Sequence, residues 1–307
     1  MDKISLLILA GGLGSRYKGS KQIDTVSDAN ETLMEFGLHD ALTAGISKFV
    51  FIINSEFPEV YKTHLTKILE SKNAEVHFVV QTIQSFIPDE FSAKLKNRKK
   101  PLGTAHAVFC ANQLINEVFI TINADDYYGR QSFEMAVKSI RAGQISENAF
   151  GMVAFKLENT LSEQGGVSRG ICNLKNNCLL HVKEFTSIQK TEDGISGLNE
   201  KNELKILDED DLVSMNLWIL HPSFFKLAQS GLNEFLKNMT DSENSEFYLP
   251  SVIDHAVQEE KIKINVVKST EKWFGLTYRE DKEKVIGEIK TMKSAGIYPE
   301  KIWGSRL

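Results

Sequence analysis

Short apolar runs and longer amphipathic segments follow one another through the first half of the chain. The runs have strand length, and in the longer segments apolar residues recur every three to four positions, as on the buried face of a helix. The predicted strands span residues 4–10, 49–53, 76–80 and 118–123, and the predicted helices span 32–44 and 58–70, with another opening at 103–105. Alternating strands and helices are typical of a sheet covered by helices on both faces. The first half therefore predicts a doubly wound, mostly parallel, Rossmann-like α/β sheet.

The second half has a different pattern. A close pair of strands surrounds the turn Lys175-Asn176-Asn177, which predicts an antiparallel hairpin. The predicted strands span 150–155, 168–174, 179–185, 212–220 and 262–267, and the predicted helices begin at 222, 249 and 279. We therefore expect a mixed second lobe. Since no repeat or clear linker divides the sequence, residues 1–307 are predicted to form a single domain.

Composition narrows the class of protein. With 307 residues, 42% hydrophobic and 25% charged, the chain resembles an ordinary globular protein with a sizeable core. Its net charge of −5 argues against a nucleic-acid partner. Cys110, Cys172 and Cys178 are too few and too irregularly spaced for a disulfide framework or a zinc site. With no apolar segment of membrane length and no signal peptide, the sequence predicts a cytoplasmic protein without a membrane partner.

The first predicted strand is followed at once by a loop rich in glycine and then by two basic residues, Arg16 and Lys21. Glycine lets the backbone come close to a ligand and turn its N–H groups toward an anion. The basic side chains add full positive charge to these donors. The loop residues are Ala10, Gly11, Gly12, Leu13, Gly14 and Ser15. This stretch predicts a phosphate-binding loop.

Two more polar positions follow predicted strands. Gln81 ends the third strand and Asp125 ends the fourth, and ligands of parallel sheets bind at these carboxyl ends. Asp125 and Asp126 compete as ligands of Mg²⁺. The strand-end position favours Asp125, which leaves Asp126 as a helix cap or a sugar contact. His106 lies on a predicted helix, and packing is the favoured interpretation.

The basic cluster between residues 94 and 100 leaves two interpretations open. Most of its lysines suit a solvated surface loop, and the alternative is a flap over a phosphate-rich ligand.

Several motifs together resemble one family, the nucleotidyltransferases that activate sugar 1-phosphates. They stand in family order over most of the chain: Leu9-Ala10-Gly11-Gly12-Leu13-Gly14-Ser15-Arg16 with Ser20-Lys21-Gln22, Leu102-Gly103-Thr104-Ala105-His106-Ala107, Asn123-Ala124-Asp125-Asp126-Tyr127-Tyr128-Gly129, Val182-Lys183-Glu184, Met215-Asn216-Leu217-Trp218, and Trp273-Phe274-Gly275-Leu276-Thr277. The resemblance implies a glycosyltransferase-A-like fold. It also implies an Mg²⁺-dependent reaction of a nucleoside triphosphate with a sugar phosphate, which releases pyrophosphate and gives a nucleoside-diphosphate sugar.

The chemistry of that reaction assigns the charged residues. Bringing two phosphorylated substrates together demands positioning and charge neutralisation. Arg16 would hold the β- and γ-phosphates and Lys21 would bridge the α-phosphate and the attacking phosphate, while Asp125 holds Mg²⁺. The loop from Ala10 to Ser15 would bind the triphosphate, and Gln81, Gly103 and Thr104 would contact the nucleoside.

For the sugar side the resemblance offers Gly166, Glu184 and Asn216, beside Asp126. It implies a nucleotide-binding half over about residues 1–150, a sugar-phosphate half over about 151–270 and a C-terminal helix over about 271–307.

Two positions depart from the family pattern. Phe274-Gly275 stands where the family often has an aspartate that serves as a second metal ligand, and the nearest acids are Glu271, Glu280 and Asp281. Phe185 replaces the basic residue that often follows the sugar-side glutamate.

These departures keep alternatives open. Only four residues separate Arg16 from Lys21, which also suits a cytidylyltransferase acting on a polyol or other non-sugar phosphate. A third hypothesis is a catalytically silent regulator that binds nucleotide sugars. The base, the sugar and the oligomeric state, a homo-oligomer included, are not determined by the sequence.

Overall fold

One long mixed sheet organises the molecule. The computed structural model describes residues 3–12, 23–162, 165–192, 194–276 and 279–304. Within these ranges the strands are β1 (Ser5–Ala10), β2 (Lys48–Ile53), β3 (Glu75–Val80), β4 (Phe119–Asn123), β5 (Asp126–Tyr127), β6 (Ala149–Lys156), β7 (Val167–Lys175), β8 (Cys178–Thr191), β9 (Gly194–Leu198), β10 (Leu204–Leu207), β11 (Leu212–Leu220), β12 (Lys263–Lys268) and β13 (Phe274–Gly275). The helices are α1 (Leu33–Thr43), α2 (Glu59–Glu70), α3 (Asp89–Ser92), α4 (Thr104–Phe109), α5 (Arg130–Arg141), α6 (Phe224–Asn238), α7 (Leu249–Gln258) and α8 (Asp281–Ser294).

The strand order confirms the predicted α/β class. Strands β3, β2, β1 and β4 lie side by side and parallel, and they come from the first half of the chain. The second half continues the same sheet through β11, which runs antiparallel to β4 and to β6. Strands β12, β8, β9 and β10 extend it further, and β7 pairs with both β11 and β8. A separate two-stranded ribbon joins β5 to β13.

Strand β1 explains why the sheet is covered on both faces. Its side chains alternate: Leu6 and Ile8 pack in one buried cluster, and Leu7 packs in the other. The first cluster lies under α1, α2 and α5, and the second lies under α4, α6 and α7. A strand that is buried on both faces must be apolar throughout, which is the pattern the sequence shows.

Helix α1, at Leu33–Thr43, is the first helix after the predicted phosphate loop. Thr32 caps it: the Thr32 hydroxyl accepts from the Glu35 backbone N–H at 3.3 Å, and the Glu35 carboxylate accepts from the Thr32 N–H at 2.8 Å. This reciprocal capping box satisfies two backbone donors that a helix start leaves free. The C-terminal segment then packs on this helix, since the Trp303 indole N–H donates to Glu35 at 3.1 Å.

The structure revises the interpretation of the basic segment. Arg98 is buried and its guanidinium donates to the carbonyls of Lys100, Pro101 and Ser242. Lys94 donates to the carbonyl of Leu236 at 2.8 Å, at the end of α6. Lys96, Lys99 and Lys100 are exposed, as expected of a solvated loop. The surface-loop interpretation was made for the lysines and does not extend to Arg98, whose planar fork satisfies buried carbonyls from two segments.

Strands β9 and β10 and helix α5 escaped sequence prediction. Strand β9 contains Gly194 and Gly197, which weaken the strand pattern, and α5 follows directly on the Asp125-Asp126 motif. The predicted hairpin is confirmed, since β7 and β8 pair antiparallel and Asn176 and Asn177 have φ of 53° and 60°. Two consecutive residues with positive φ are what a tight hairpin turn requires.

Two expectations from composition can be compared with the structure. Cys110, Cys172 and Cys178 all carry free thiols. Nowhere in the described ranges does a helix combine the length and the apolar character that crossing a bilayer requires.

Candidate active site

The carboxyl ends of β1, β3 and β4 lie at one edge of the sheet, because these strands run parallel. Gly11 follows β1, Gln81 follows β3 and Asp125 follows β4, as the sequence predicts. Ala10 is the buried last residue of β1 and Gly12 is exposed. The predicted residues Leu13, Gly14, Ser15, Arg16 and Lys21 lie outside the described residues.

A first group of residues, the glycine cluster, comprises Gly11, Gln81, Gly103 and His106. Gln81 is buried, and its Nε2 donates to His106 Nδ1 at 3.0 Å and to the Gly103 carbonyl at 3.3 Å. Since both amide hydrogens are engaged, the amide oxygen is turned to the other side. There Oε1 lies 3.4 Å from the place that a Cβ would occupy on Gly11.

His106 orients the Gln81 amide. Its Nε2 donates to the Ser85 carbonyl at 2.7 Å, which leaves Nδ1 as the acceptor for Gln81. Burial lowers the pKa of His106, and Arg98 lowers it further, against the raising effect of the Ser85 carbonyl. The ring is therefore neutral near pH 7. Packing is borne out by its complete burial, but sequence reasoning missed that the ring also holds a predicted site residue.

Gly103 occupies a position that only glycine fits. Its φ is +108°, and an added Cβ would lie 2.7 Å from the Phe247 carbonyl oxygen. Phe247 clamps this segment, because its N–H donates to the Leu102 carbonyl at 2.6 Å and its carbonyl accepts from the Ala105 N–H at 3.0 Å. The next residue, Thr104, accepts from the Leu249 N–H at 2.9 Å through its hydroxyl.

A second group, the carboxylate cluster, comprises Asn123, Asp125, Asp126 and Asn216. Asp125 is partly exposed, whereas Asp126 is buried. The Asn123 amide donates to Asp126 Oδ2 at 2.7 Å, and the Tyr128 hydroxyl lies 3.2 Å from the same oxygen. The helix-cap alternative for Asp126 is wrong, because Asp126 begins β5 and Gly129 stands at the start of α5.

Asn216 enters the carboxylate cluster through a bulge in β11. The register of β11 against β6 shifts between Ser214 and Trp218, and Asn216 has φ of +62°. Its Nδ2 donates to Asn123 Oδ1 at 3.3 Å, and its carbonyl accepts from the Thr121 hydroxyl at 2.8 Å. Asparagine tolerates positive φ better than most residues, so the bulge can turn its amide toward Asn123, whose own amide donates to Asp126.

The family departure at Gly275 has a structural counterpart. Gly275 pairs with Asp126 in the β5–β13 ribbon, and an added Cβ would lie 2.6 Å from Asp126 Oδ1. The Asp126 carboxylate therefore occupies the space beside Gly275 that a larger side chain would need. Of the alternative acids, Glu271 lies between β12 and β13, and its carboxylate accepts from the Gln131 N–H in the first turn of α5 at 3.2 Å.

The donor set bears on the predicted magnesium site. In the part of the chain that the structure describes, no three histidine, cysteine, aspartate or glutamate side chains form a group that could hold a metal. Asp125 and Asp126 nevertheless offer carboxylate oxygens, the ligands that Mg²⁺ prefers, and this ion is commonly held by one or two carboxylates with substrate phosphates and water. The residues fit Mg²⁺ on those terms.

Two predicted sugar-side residues, Glu184 and Gly166, belong to the hairpin and the segment just before it. Glu184 pairs with Gly170 across β7 and β8, and desolvation of its carboxyl raises its pKa, against the lowering effect of Arg169. Gly166 precedes β7, where an added Cβ would lie 2.9 Å from Ser187 Cα. Against the larger lowering effect of burial, Asp126 and Glu184 both raise the pKa of Arg169, so the carboxylate cluster and the hairpin interact electrostatically through this side chain.

Sequence reasoning missed the residues that hold the aspartates. Tyr128 accepts from the Asn123 N–H at 3.0 Å and lies 2.9 Å from the Met215 carbonyl, so it joins β4 to the bulge. Both Asn123 and Tyr128 belong to the same sequence motif as the two aspartates. Polar side chains next to a buried strand end need hydrogen-bond partners, and this was the signal that could have indicated their role.

Comparison with solved structures shows which known proteins share this fold. A Bacillus anthracis protein described as a glucose-1-phosphate thymidylyltransferase has the same fold. The TM-score is 0.61 and the sequence identity is 11%, and the match covers 93% of this chain and 94% of that one. The inositol-1-phosphate CTP transferase of T. maritima matches with a TM-score of 0.60 at 16% identity, over 95% of this chain and 97% of that one. A UDP-glucose pyrophosphorylase complexed with UDP-glucose matches with a TM-score of 0.57 at 16% identity, over 95% of this chain and 99% of that one.

The sequence itself gives the family. No curated protein matches the chain by sequence. The profile of the family described as nucleotidyl transferase matches residues 5–275, which include both clusters and the hairpin. This chain therefore belongs to the nucleotidyl transferase family.

Proposed function

We propose that this enzyme transfers the nucleotidyl group of a nucleoside triphosphate to a sugar 1-phosphate, with release of pyrophosphate. The observation that carries the proposal is that Gly11 and Asp125 follow the adjacent parallel strands β1 and β4, with Gln81 after β3 at the same edge of the sheet, in a chain of this family. The first cluster suits a nucleobase, and the second suits a metal and phosphates. The division into a nucleotide half and a sugar-phosphate half is part of the proposal.

The reaction joins an oxygen of the acceptor phosphate to the α-phosphorus and breaks the bond from that phosphorus to the β-bridging oxygen. The electron pair leaves with pyrophosphate. Arg16 would follow the charge that develops on the leaving pyrophosphate, and Lys21 would bring the two reacting phosphates together. The backbone N–H groups of the loop from Ala10 to Ser15 would add preformed donors.

The glycine cluster would bind the nucleoside. The Gln81 amide oxygen is oriented by the bonds of Nε2, so it would accept a hydrogen bond from the base. Gly103 would let the base approach the backbone closely, and Thr104 would lie beside it.

Enzymes of this family generally use a divalent metal. Asp125 would hold Mg²⁺ here, since it is the more exposed of the two adjacent aspartates. When bound, the ion supplies positive charge beside the α-phosphate. On the acceptor side, Glu184 and Asn216 would bind sugar hydroxyls, with Asp126 and Gly166 beside them.

Pyrophosphate release tests the proposal. The folded protein is incubated with Mg²⁺, each nucleoside triphosphate and a panel of sugar 1-phosphates, and we expect release with one pair. Arg16→Ala and Lys21→Ala should lower turnover about 100-fold or more while leaving the melting temperature nearly unchanged. Equal losses of turnover and stability would make the loop a structural turn. Nucleotide-sugar binding without any turnover would favour a silent regulator.

A second candidate is a cytidylyltransferase that acts on a polyol phosphate. Two observations favour it: the four-residue spacing between Arg16 and Lys21, and the likeness in fold to the T. maritima inositol-1-phosphate CTP transferase. Adding inositol 1-phosphate to the panel separates the two candidates. Preferred turnover of CTP with that acceptor would select the second.

A further inference from the structure

A pair of buried tyrosines lies behind the carboxylate cluster, and the proposed function gives it no role. Tyr127 follows Asp126 in β5, and Tyr298 comes from the segment after α8. Both side chains are almost completely buried. Their hydroxyl oxygens lie 2.9 Å apart, and their rings meet edge to face. The C-terminal part of the chain therefore contacts the strand that carries one of the two aspartates.

The direction of the hydrogen bonds in this pair follows from Asp40 on α1. Asp40 is fully buried, and one of its carboxylate oxygens accepts from the Tyr298 hydroxyl. Since the single proton of that hydroxyl is used, the Tyr298 oxygen accepts from the Tyr127 hydroxyl. Burial and then the charge of Asp40 raise the pKa of Tyr298, so its hydroxyl stays protonated at neutral pH. A chain of hydrogen bonds thus joins β5 to α1 through Tyr298.

Tyr298 is itself held by two helices. Its ring packs edge-on against Phe36 of α1, with 5.0 Å between the ring centres. The Arg130 guanidinium of α5 lies 5.7 Å from the centre of the Tyr298 ring, and its Nη2 donates to the Ile297 carbonyl at 3.2 Å. Arg130 also contacts Asp40, with 3.4 Å between Nε and Oδ1. Helices α1 and α5 therefore fix the position of the Tyr298 hydroxyl.

Tyr127 in turn fixes the ribbon that carries the aspartates. Its ring stacks on Phe274 of β13, with 4.4 Å between the ring centres and 11° between the planes. Leu276, which follows β13, donates its N–H to the Asp125 carbonyl at 3.0 Å. Neighbouring residues of a strand project to opposite faces, so Tyr127 anchors β5 from the side opposite the Asp126 carboxylate.

We propose that Tyr298 is a positioning residue for the carboxylate cluster and acts on it through Tyr127. The inference rests on the proposed function, since it needs a metal at that cluster. Groups that hold metal ligands in place matter nearly as much as the ligands, and their loss typically lowers metal affinity or activity about 10- to 100-fold. A ribbon that is fixed before the ion arrives also loses little freedom when the ion binds.

Two substitutions that each remove one hydroxyl separate positioning from stability. Tyr298→Phe removes the group that joins Asp40 to Tyr127. Tyr61→Phe is the matched control, because the Tyr61 hydroxyl on α2 also donates to a buried carboxylate of α1, Glu35, at 3.3 Å. Both variants should lower the melting temperature by about 2–6 °C.

The dependence of pyrophosphate release on Mg²⁺ should distinguish the two variants. Tyr298→Phe should raise the Mg²⁺ concentration that gives half the maximal rate about 10-fold, and Tyr61→Phe should leave it unchanged. At saturating Mg²⁺, the KM for the triphosphate should change less than about threefold in both, since the tyrosine pair lies behind the carboxylates and not at the glycine cluster.

Tyr127→Phe breaks the same pair from the other side and leaves Tyr298 bonded to Asp40. It serves as the test if Tyr298→Phe does not fold, and it should raise the Mg²⁺ requirement in the same direction. The double variant should be no worse than the more affected single variant, because both substitutions remove the same bond.

Calorimetry gives a second readout that needs neither acceptor nor turnover. The α,β-methylene analogue of each nucleoside triphosphate is titrated into the protein with and without Mg²⁺. The gain in affinity that Mg²⁺ gives the wild-type protein should be about 10-fold smaller in Tyr298→Phe and unchanged in Tyr61→Phe. If the wild-type protein shows this gain but releases no pyrophosphate with any pair, the proposed function fails, and the variants still decide the inference.

Two results would overturn the inference. One is an equal loss of stability in Tyr298→Phe and Tyr61→Phe with the Mg²⁺ dependence of the wild type in both, which would make the tyrosine pair structural. The other is a wild-type protein whose affinity for every analogue is independent of Mg²⁺, because the carboxylate cluster would then hold no ion.

Discussion

The glycine cluster and the carboxylate cluster lie at the same edge of the sheet but are built in opposite ways. The glycine cluster is neutral: an amide, an imidazole and backbone carbonyls are held by direct hydrogen bonds between 2.6 and 3.3 Å. The carboxylate cluster is charged, and its geometry depends on the β11 bulge at Asn216. One side is arranged by close approach of the backbone, and the other by charge and local distortion of a strand.

This difference indicates how each side would discriminate between ligands. A buried neutral network selects a ligand by its shape and by the direction of its hydrogen bonds. A ligand that leaves a buried donor or acceptor of the protein unpaired binds with a less favourable free energy. A charged, partly exposed cluster binds through its field, which also attracts cations and is weakened by salt. Substitutions should therefore act on nucleotide recognition and stability at the first cluster, and on turnover at the second.

The largest effect is expected at the exposed aspartate. Asp125→Asn keeps the size of the side chain and removes its charge, so Mg²⁺ should bind less well and turnover should fall about 100-fold, about 3 kcal/mol of transition-state stabilisation. Pyrophosphate release over a range of Mg²⁺ concentrations measures this. The melting temperature should change little.

Asp126→Asn is the matched comparison. This carboxylate is buried and accepts from Asn123, so its replacement should cost about 1–3 kcal/mol of unfolding free energy as well as activity. If both variants kept their turnover and lost only stability, the carboxylate cluster would be structural, and the contrast between the clusters would disappear.

A smaller effect is expected at Gly103. Gly103→Ala must hold alanine at φ of +108° and move the Phe247 carbonyl away from a Cβ at 2.7 Å. We expect a loss of about 2–3 kcal/mol in unfolding free energy and a higher KM for the triphosphate. Denaturant melts and kinetics measure the two effects.

Gly143→Ala controls for backbone strain alone. Gly143 has φ of +69° with nothing within 4 Å of the added Cβ, so its cost should be about 1 kcal/mol with no change in KM. Equal costs at the two glycines would mean that the contact with Phe247 contributes nothing, and would weaken the view that backbone approach shapes this side.

The sequence predicted the strands that carry the site better than it predicted the contacts between distant segments that hold the site residues. A short apolar run such as β1 is typical of a strand covered on both faces, and its carboxyl end then positions Gly11. The Asn216 bulge and the contact of Gly275 with Asp126 depend on register between distant segments, which no local pattern encodes. The orienting role of His106 was hidden for the same reason, since its partner Gln81 lies 25 residues away.

The smallest effect concerns the charge state of the glycine cluster. In the wild-type protein, burial lowers the pKa of His106, so the stability it contributes is present above its unfolded pKa of about 6.5 and is lost as the pH falls from there through the lower pKa of the folded state. Gln81→Glu would place a carboxylate against the Gly103 carbonyl and His106 Nδ1, which are both acceptors. Protonation of the imidazole would relieve this conflict, and the native pKa of His106 would rise.

The variant should therefore lose about 1–3 kcal/mol of unfolding free energy at pH 8, and the difference from wild type should shrink as the pH falls to 6. Gln81→Met removes the same hydrogen bonds without adding a charge, so its difference from wild type should stay constant between the two pH values. Urea melts at pH 6 and pH 8 measure all three proteins. Parallel pH slopes for Gln81→Glu and Gln81→Met would show that His106 is not coupled to position 81, and the amide would then owe its orientation to the Gly103 carbonyl alone.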